Sequence, residues 1–143
     1  MNNQRVVITG MGAICGLGHN LSEVWNHLIE GQSGISKIEQ FDTTDLPVHF
    51  AGEIKNFILS EDILPLKDHD RYDRFIHLAL HATFEAWNKA GINFSQYKQE
   101  RIGCILGTGL GGFPRIETTH DIYREKGDRR ISTFFFPLVI SNI

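Results

Sequence analysis

Two spacings of apolar residues alternate along the chain. Arg5–Gly10 (RVVITG) and Ile102–Leu106 (IGCIL) are short apolar runs leading into glycine, which predicts buried strands. Leu21, Val24, Trp25, Leu28 and Ile29 recur at i, i+3, i+4, i+7 and i+8, which predicts a helix capped by Asn20 or Ser22 and stopped by Gly31. One face of it is expected on a sheet, with Trp25 supplying the largest buried area. From about Lys67 to Ala90, Tyr72, Phe75, Ile76, Ala79, Thr83, Ala86, Trp87 and Ala90 line one helical face. Leu78, Leu80, Ala82 and Phe84 spread apolar surface around the rest, the pattern of a helix buried between layers. Gly91 stops it. Thr118–Lys126 predicts a polar amphipathic helix ended by Gly127, and Pro137 suits the first turn of another helix over Leu138–Asn142. Residues 32–48 predict irregular chain, Val48–Ile54 a short strand, and Leu59–Leu66 a loop or short turn around Pro65. Strand, helix and strand in alternation predict an α/β fold with a mostly parallel sheet.

Composition narrows this picture. A length of 143 residues suits one domain, and a formal charge of −3 without a basic run argues against general nucleic-acid affinity. No apolar stretch is long enough for a membrane span, and the polar Met1–Gln4 running into a strand leaves no room for a signal peptide. Cys15 and Cys104, both in apolar surroundings, are expected as buried free thiols in a reducing cytoplasm. The apolar helical pattern still running at Ile143, with only three candidate strands before it, implies the front part of a larger domain.

Candidate chemistry is sparse. Arg101–Gly112 (RIGCILGTGLGG) ends in a loop with four glycines in six positions, which must turn tightly or admit a close neighbour. With the aromatic Ser132–Pro137 (STFFFP) it suggests the rim of a binding pocket, yet neither stretch holds a nucleophile. Gly10, Gly12 and Gly16 imitate a dinucleotide fingerprint, but the third glycine falls one position late and the next helix starts too far on to hold a pyrophosphate. A structural turn is the better reading. His77 and His81, with Asp73 and Glu85 in register, could form a metal ladder; a polar seam along the helix is favoured and no metal is expected. Neither cysteine has a local histidine partner, so cysteine chemistry by either is disfavoured. Lys67, Arg71 and Arg74, and the adjacent Arg129 and Arg130, are either ordinary solvated charges or a docking patch for an acidic partner.

Taken in order, Arg5–Gly18 (RVVITGMGAICGLG), Gly31–Ile35 (GQSGI), Phe41-Asp42, Phe50–Glu53 (FAGE), Asp73–Ile76 (DRFI), Arg101–Gly112 and Gly127–Pro137 resemble the N-terminal part of the β-ketoacyl-acyl-carrier-protein synthases, and most closely their type II elongating branch in bacterial fatty acid synthesis. The resemblance spans the whole chain but only about the first third of the family's length. It implies a thiolase-like αβαβα sandwich, of which residues 1–143 would be an incomplete N-terminal half. It implies that Leu110 gates the acyl pocket, that Phe135 and Phe136 line it across a homodimer interface, and that Lys67, Arg71, Arg129 and Arg130 dock the acidic acyl carrier protein. Asp70 stands where a base is frequent, and Asp128 and Thr133 stand where proline is usual. The family's nucleophilic cysteine and two histidines would lie beyond Ile143, so the chain by itself is expected to be inactive. No cofactor, nucleic acid or membrane is implied, and the location implied is cytoplasmic. Two other readings are a catalytically dead carrier-binding or dimerisation module and, resting on the imperfect glycine pattern alone, a small nucleotide-binding oxidoreductase.

Overall fold

A computed structural model describes residues 5–139. The chain divides into two compact units: one takes the chain up to Ile58 together with His81–Ile92, the other Leu59–Leu80 with the chain from Asn93 onward.

In the first unit, helix α1 occupies Leu21–Ile29, as its periodicity predicts. Asn20 caps it: its Oδ1 accepts the Glu23 N–H at 2.9 Å, while Glu23 Oε2 accepts the His19 N–H at 2.8 Å. Gly31, at φ +71°, ends it in the left-handed region that glycine enters without a Cβ clash. Strands β1 (Ser36–Lys37) and β2 (Phe50–Ala51) pair antiparallel, with Ser36 opposite Ala51 and Lys37 opposite Phe50. Glu53 closes the end of this ribbon: its carboxylate accepts the Glu39 and Gln40 N–H groups and faces Lys55. β2 falls inside the predicted Val48–Ile54, whereas β1 lies in a stretch expected to be irregular.

Helix α2 runs over Arg74–Ala90. Its start corrects the expectation of one helix from about Lys67. Leu66–Arg71 is a separate 3₁₀ segment, and Tyr72 is extended at φ −128° and ψ 140°. Asp73, 8% exposed, caps α2 instead, with Oδ1 facing the Phe75 N–H at 3.4 Å and its carbonyl accepting from Ile76. Aspartate bonds an orphan helix N–H better from the cap than from within, which is why the helix breaks there. In the second unit follow α3 (Phe113–Lys126), ended by Gly127, and α4 (Phe135–Val139). α4 begins before the predicted Leu138 with Pro137 in its first turn; the remainder of the predicted Leu138–Asn142 lies outside the described residues.

The predicted parallel sheet is the main difference. The only ladder among the described residues is the two-stranded antiparallel one. Residues 5–14 and 102–108 form no strand, and Val6 and Ile105 are 97% and 98% exposed. An apolar run becomes a strand only when a neighbour supplies the ladder, and neither run has one here. For the same reason Trp25 is exposed rather than packed on a sheet, and no residue of α2 is fully buried. Leu59 and Leu138 are the buried large apolar side chains among the described residues.

Candidate functional site

Cys15 and the first glycine cluster lie in the first unit, and Cys104 lies in the second. Gly10 and Gly12 lie directly against the backbone of α2. A Cβ on Gly10 would sit 2.7 Å from the Ala90 nitrogen, and one on Gly12 would overlap the Ala82 carbonyl and reach within 3.0 Å of the Ala86 nitrogen. The glycines are therefore there for close backbone approach to a helix, not to open N–H groups toward a phosphate. The nucleotide-fold reading loses its only support. The contact is clamped by Glu85 on α2, whose carboxylate accepts the Ala13 N–H at 2.9 Å, the Leu21 N–H at 2.9 Å, and the Lys89 ammonium at 2.7 Å. Partial burial raises the pKa of this carboxyl, but the bonds from Lys89, Ala13 and Leu21 outweigh it and leave the group below its ordinary value.

His81 Nε2–H donates to the His19 carbonyl at 2.6 Å, and its ring meets Phe57 edge-on. His77 instead faces His69 at 5.1 Å between ring centroids. The four residues of the imagined metal ladder thus find separate neighbours along a polar seam, and among the described residues no three ligand-type side chains gather closely enough for a metal ion. The cysteines correct the expectation of burial: Cys15 is half-buried and Cys104 exposed, both as free thiols. Cys15 lines a cleft of about 270 Å³ with Gly16, His19, Gly34, Glu53 and Lys55. The polar groups of that cleft are committed elsewhere: Glu53 holds the Glu39 and Gln40 backbone, and Lys55 Nζ donates to Glu39 at 2.6 Å and to the Lys37 carbonyl at 3.1 Å.

Leu110, Phe135 and Phe136, expected at a pocket rim, lie in the second unit, where Gly112 of the second glycine loop packs on α4. Gly112, at φ +74°, is buried against α4: a Cβ would stand 2.7 Å from Val139 Cα and 3.0 Å from the Leu138 carbonyl oxygen. Gly111 lies flat on the ring of Phe75, where a Cβ would meet three ring carbons at 3.0 Å. The downstream end of the loop is thereby pinned from two sides, by a ring of α2's first turn and by the backbone of α4. Its upstream end is open; no atom stands within 4 Å of a Cβ built on Gly107 or Gly109. Leu110 and Phe136 project outward, 82% and 66% exposed, while Phe135 is half-buried and meets Phe136 at 65° and 5.6 Å between ring centroids. The result is a fixed hinge carrying an exposed aliphatic and an exposed aromatic side chain, suited to an apolar chain or an apolar protein surface.

The basic residues stand on short 3₁₀ segments of the same unit. Lys67 and Arg71 are exposed on Leu66–Arg71, where Arg71 pairs with Asp68 at 2.9 Å. Arg115, near the start of α3, reaches the Asp70 carbonyl of that segment at 3.4 Å. Arg129 and Arg130 are exposed on Asp128–Arg130, directly after Gly127 at φ +77°. Tyr123, Arg124, Gly127 and Asp128 line an open groove of about 510 Å³ beside them. Sequence reasoning missed Glu85 as a clamp and Phe75 as the support of the loop, because each acts on a glycine segment far away in the chain.

Residues 3–143 match the family described as Beta-ketoacyl synthase, N-terminal domain. The chain is 40% identical over 141 residues to the 3-oxoacyl-[acyl-carrier-protein] synthase 2 of Staphylococcus aureus strain COL, covering 99% of this chain and 34% of that protein. It is 40% identical over 143 residues to the protein of the same name from Vibrio cholerae and 38% identical to that from Vibrio harveyi, covering 100% of this chain and 34% of each relative. The chain thus spans about a third of the length of these curated relatives. Among the described residues no helix is long and apolar enough to cross a membrane.

Proposed function

The chain belongs to the β-ketoacyl synthase N-terminal domain family, and from that premise we propose that it forms the acyl-pocket rim and carrier-docking face of a 3-oxoacyl-acyl-carrier-protein synthase. The whole protein would be a cytoplasmic homodimer with a thiolase-like αβαβα fold, residues 1–143 being the first part of its N-terminal domain. In that setting Arg5–Gly10 and Ile102–Leu106 would gain their parallel neighbours. The reaction is a decarboxylative condensation. A cysteine thiolate attacks the acyl thioester, the carrier thiol leaves, malonyl-carrier loses carbon dioxide, and the resulting carbanion displaces the cysteine from the acyl carbon. Neither Cys15 nor Cys104 is assigned that role.

The observation that supports the proposal is the pinning of Gly111 and Gly112, the two residues after Leu110, by Phe75 and by α4, the helix that carries Phe135 and Phe136. A gate residue must move while its neighbours stay still, and a loop fixed at one end and open at the other has that property. Lys67, Arg71, Arg129 and Arg130 supply exposed positive charge in a chain of net charge −3, the local contrast that steers an acidic carrier. The test is binding of acyl carrier protein to the wild type and to Arg129→Glu with Arg130→Glu. Reversal of two rim cations is expected to weaken binding by about tenfold or more, with a steeper salt dependence in the wild type. Undiminished affinity at low salt would remove docking from this face.

A further inference from the structure

A pair of histidines joins the 3₁₀ segment Leu66–Arg71 to the first turns of α2. The ring of His69 lies 5.1 Å from that of His77, centroid to centroid, tilted by 54°. His69 is oriented by its own bond, Nε2–H donating to the Leu64 carbonyl at 2.9 Å. His77 Nε2 is buried and has no hydrogen-bond partner among the described residues. A neutral imidazole with its bare nitrogen turned inward tolerates this position; an imidazolium would bury an N–H with no acceptor beside a second ionisable ring.

We infer that the His69–His77 pair is a proton-operated latch: it holds the 3₁₀ segment on α2 while His77 is neutral and releases it when His77 takes up a proton. The charged and titratable groups acting on His77 are His69 from the 3₁₀ segment, Asp73 at the junction and Arg74 on α2. Desolvation depresses its proton affinity most, and the electrostatic influence of the neighbouring His69 and Arg74 side chains adds to this. A backbone hydrogen bond to His69 and the Asp73 carboxylate oppose it without reversing it. The latched state therefore binds fewer protons than the released one, so latching is complete above the ordinary histidine value of about 6.5 and is lost as pH falls below it. Besides the ring contact, the His77 bond to the His69 backbone and the long Arg115 bond to the Asp70 carbonyl at 3.4 Å join the segment to its surroundings. Lys67 and Arg71 ride on this segment. That release would also move two docking cations rests on the carrier-docking proposal; the latch does not, and the following measurement involves no carrier, so the two fail separately.

Hydrogen–deuterium exchange of peptides covering residues 64–80 is read by mass spectrometry at about pH 7.5 and pH 5.5, corrected for the intrinsic rate, in wild type, His77→Gln and His69→Gln. The expected result is corrected exchange at least about threefold faster in acid for the wild type, no change over residues 113–126, and a flat response in His77→Gln. Equal corrected rates in the wild type, or an acid response retained in full by His77→Gln, overturn the latch. If His77→Gln does not fold, His69→Gln decides: a smaller acid response supports the latch and an undiminished one overturns it.

Discussion

Replacing Gly12 by alanine tests whether the first glycine cluster is a helix-packing device. The added methyl would overlap the Ala82 carbonyl oxygen and stand 2.9 Å from its carbon, so the Gly10–Gly12 segment or α2 must retreat by roughly 1 Å. Overpacking of this kind costs about 1–3 kcal/mol and more when both neighbours are backbone, which no rotamer change can relieve. The retreat also stretches the Glu85 bonds to the Ala13 and Leu21 N–H groups, at about 1 kcal/mol each. A total of about 3–5 kcal/mol follows, a shift of about 2 M in the urea midpoint for a slope near 2 kcal/mol/M. Gly31→Ala is the control: nothing lies within 4 Å of its built Cβ, and only the left-handed backbone at φ +71° is strained, for about 1 kcal/mol. Urea titrations followed by tryptophan fluorescence, with Trp87 one residue beyond the contacted Ala86, read both variants. A midpoint for Gly12→Ala no lower than that of Gly31→Ala would refute the packing argument and reopen the segment to a ligand role.

Glu85→Ala removes the clamp and leaves two part-buried N–H groups unpaired, so a loss of about 2–3 kcal/mol is expected in the same titration. Because this carboxyl sits below its ordinary value in the folded chain, its contribution is whole above about pH 4.5 and fades as acid protonates it; Glu85→Ala should show a flatter acid limb than the wild type. A parallel acid limb would remove Glu85 from that role. Thiol labelling should modify the exposed Cys104 several-fold faster than the half-buried Cys15, as peptide mass mapping after partial reaction would show. Equal rates would contradict the described burial.

What the sequence made legible was local. α1 was readable to within a residue or two, its cap left between Asn20 and Ser22, because the cap, the apolar spacing and Gly31 each act within one turn of the helix they define. Gly91 and Gly127 were equally clear as stops, both in the left-handed region at φ +61° and +77°. The break before α2 was written in Asp73 but masked by the apolar spacing that continues through Tyr72, so two helical pieces read as one. The strands failed for a different reason: Ile105 and Val6 carry the right side chains, but a ladder is a property of two segments, and the ladder that forms joins Ser36-Lys37 to Phe50-Ala51, where β propensity is modest. At the candidate site, family order gave Leu110, Phe135 and Phe136, while the supports that fix the loop, Phe75 and the α4 backbone, required the fold.

The bond from the Ala13 amide to Glu85 joins positions 72 residues apart. A ribosome adding about 5–20 residues per second leaves the amino-terminal segment waiting some 4–14 seconds for the turn of helix that receives it. Throughout that interval the Gly10–Ala13 backbone has no helix to pack against, an opening for chaperone capture during synthesis. Slowing translation between these two points should lengthen that window, and moving the acceptor carboxylate earlier in the message is not open to this topology.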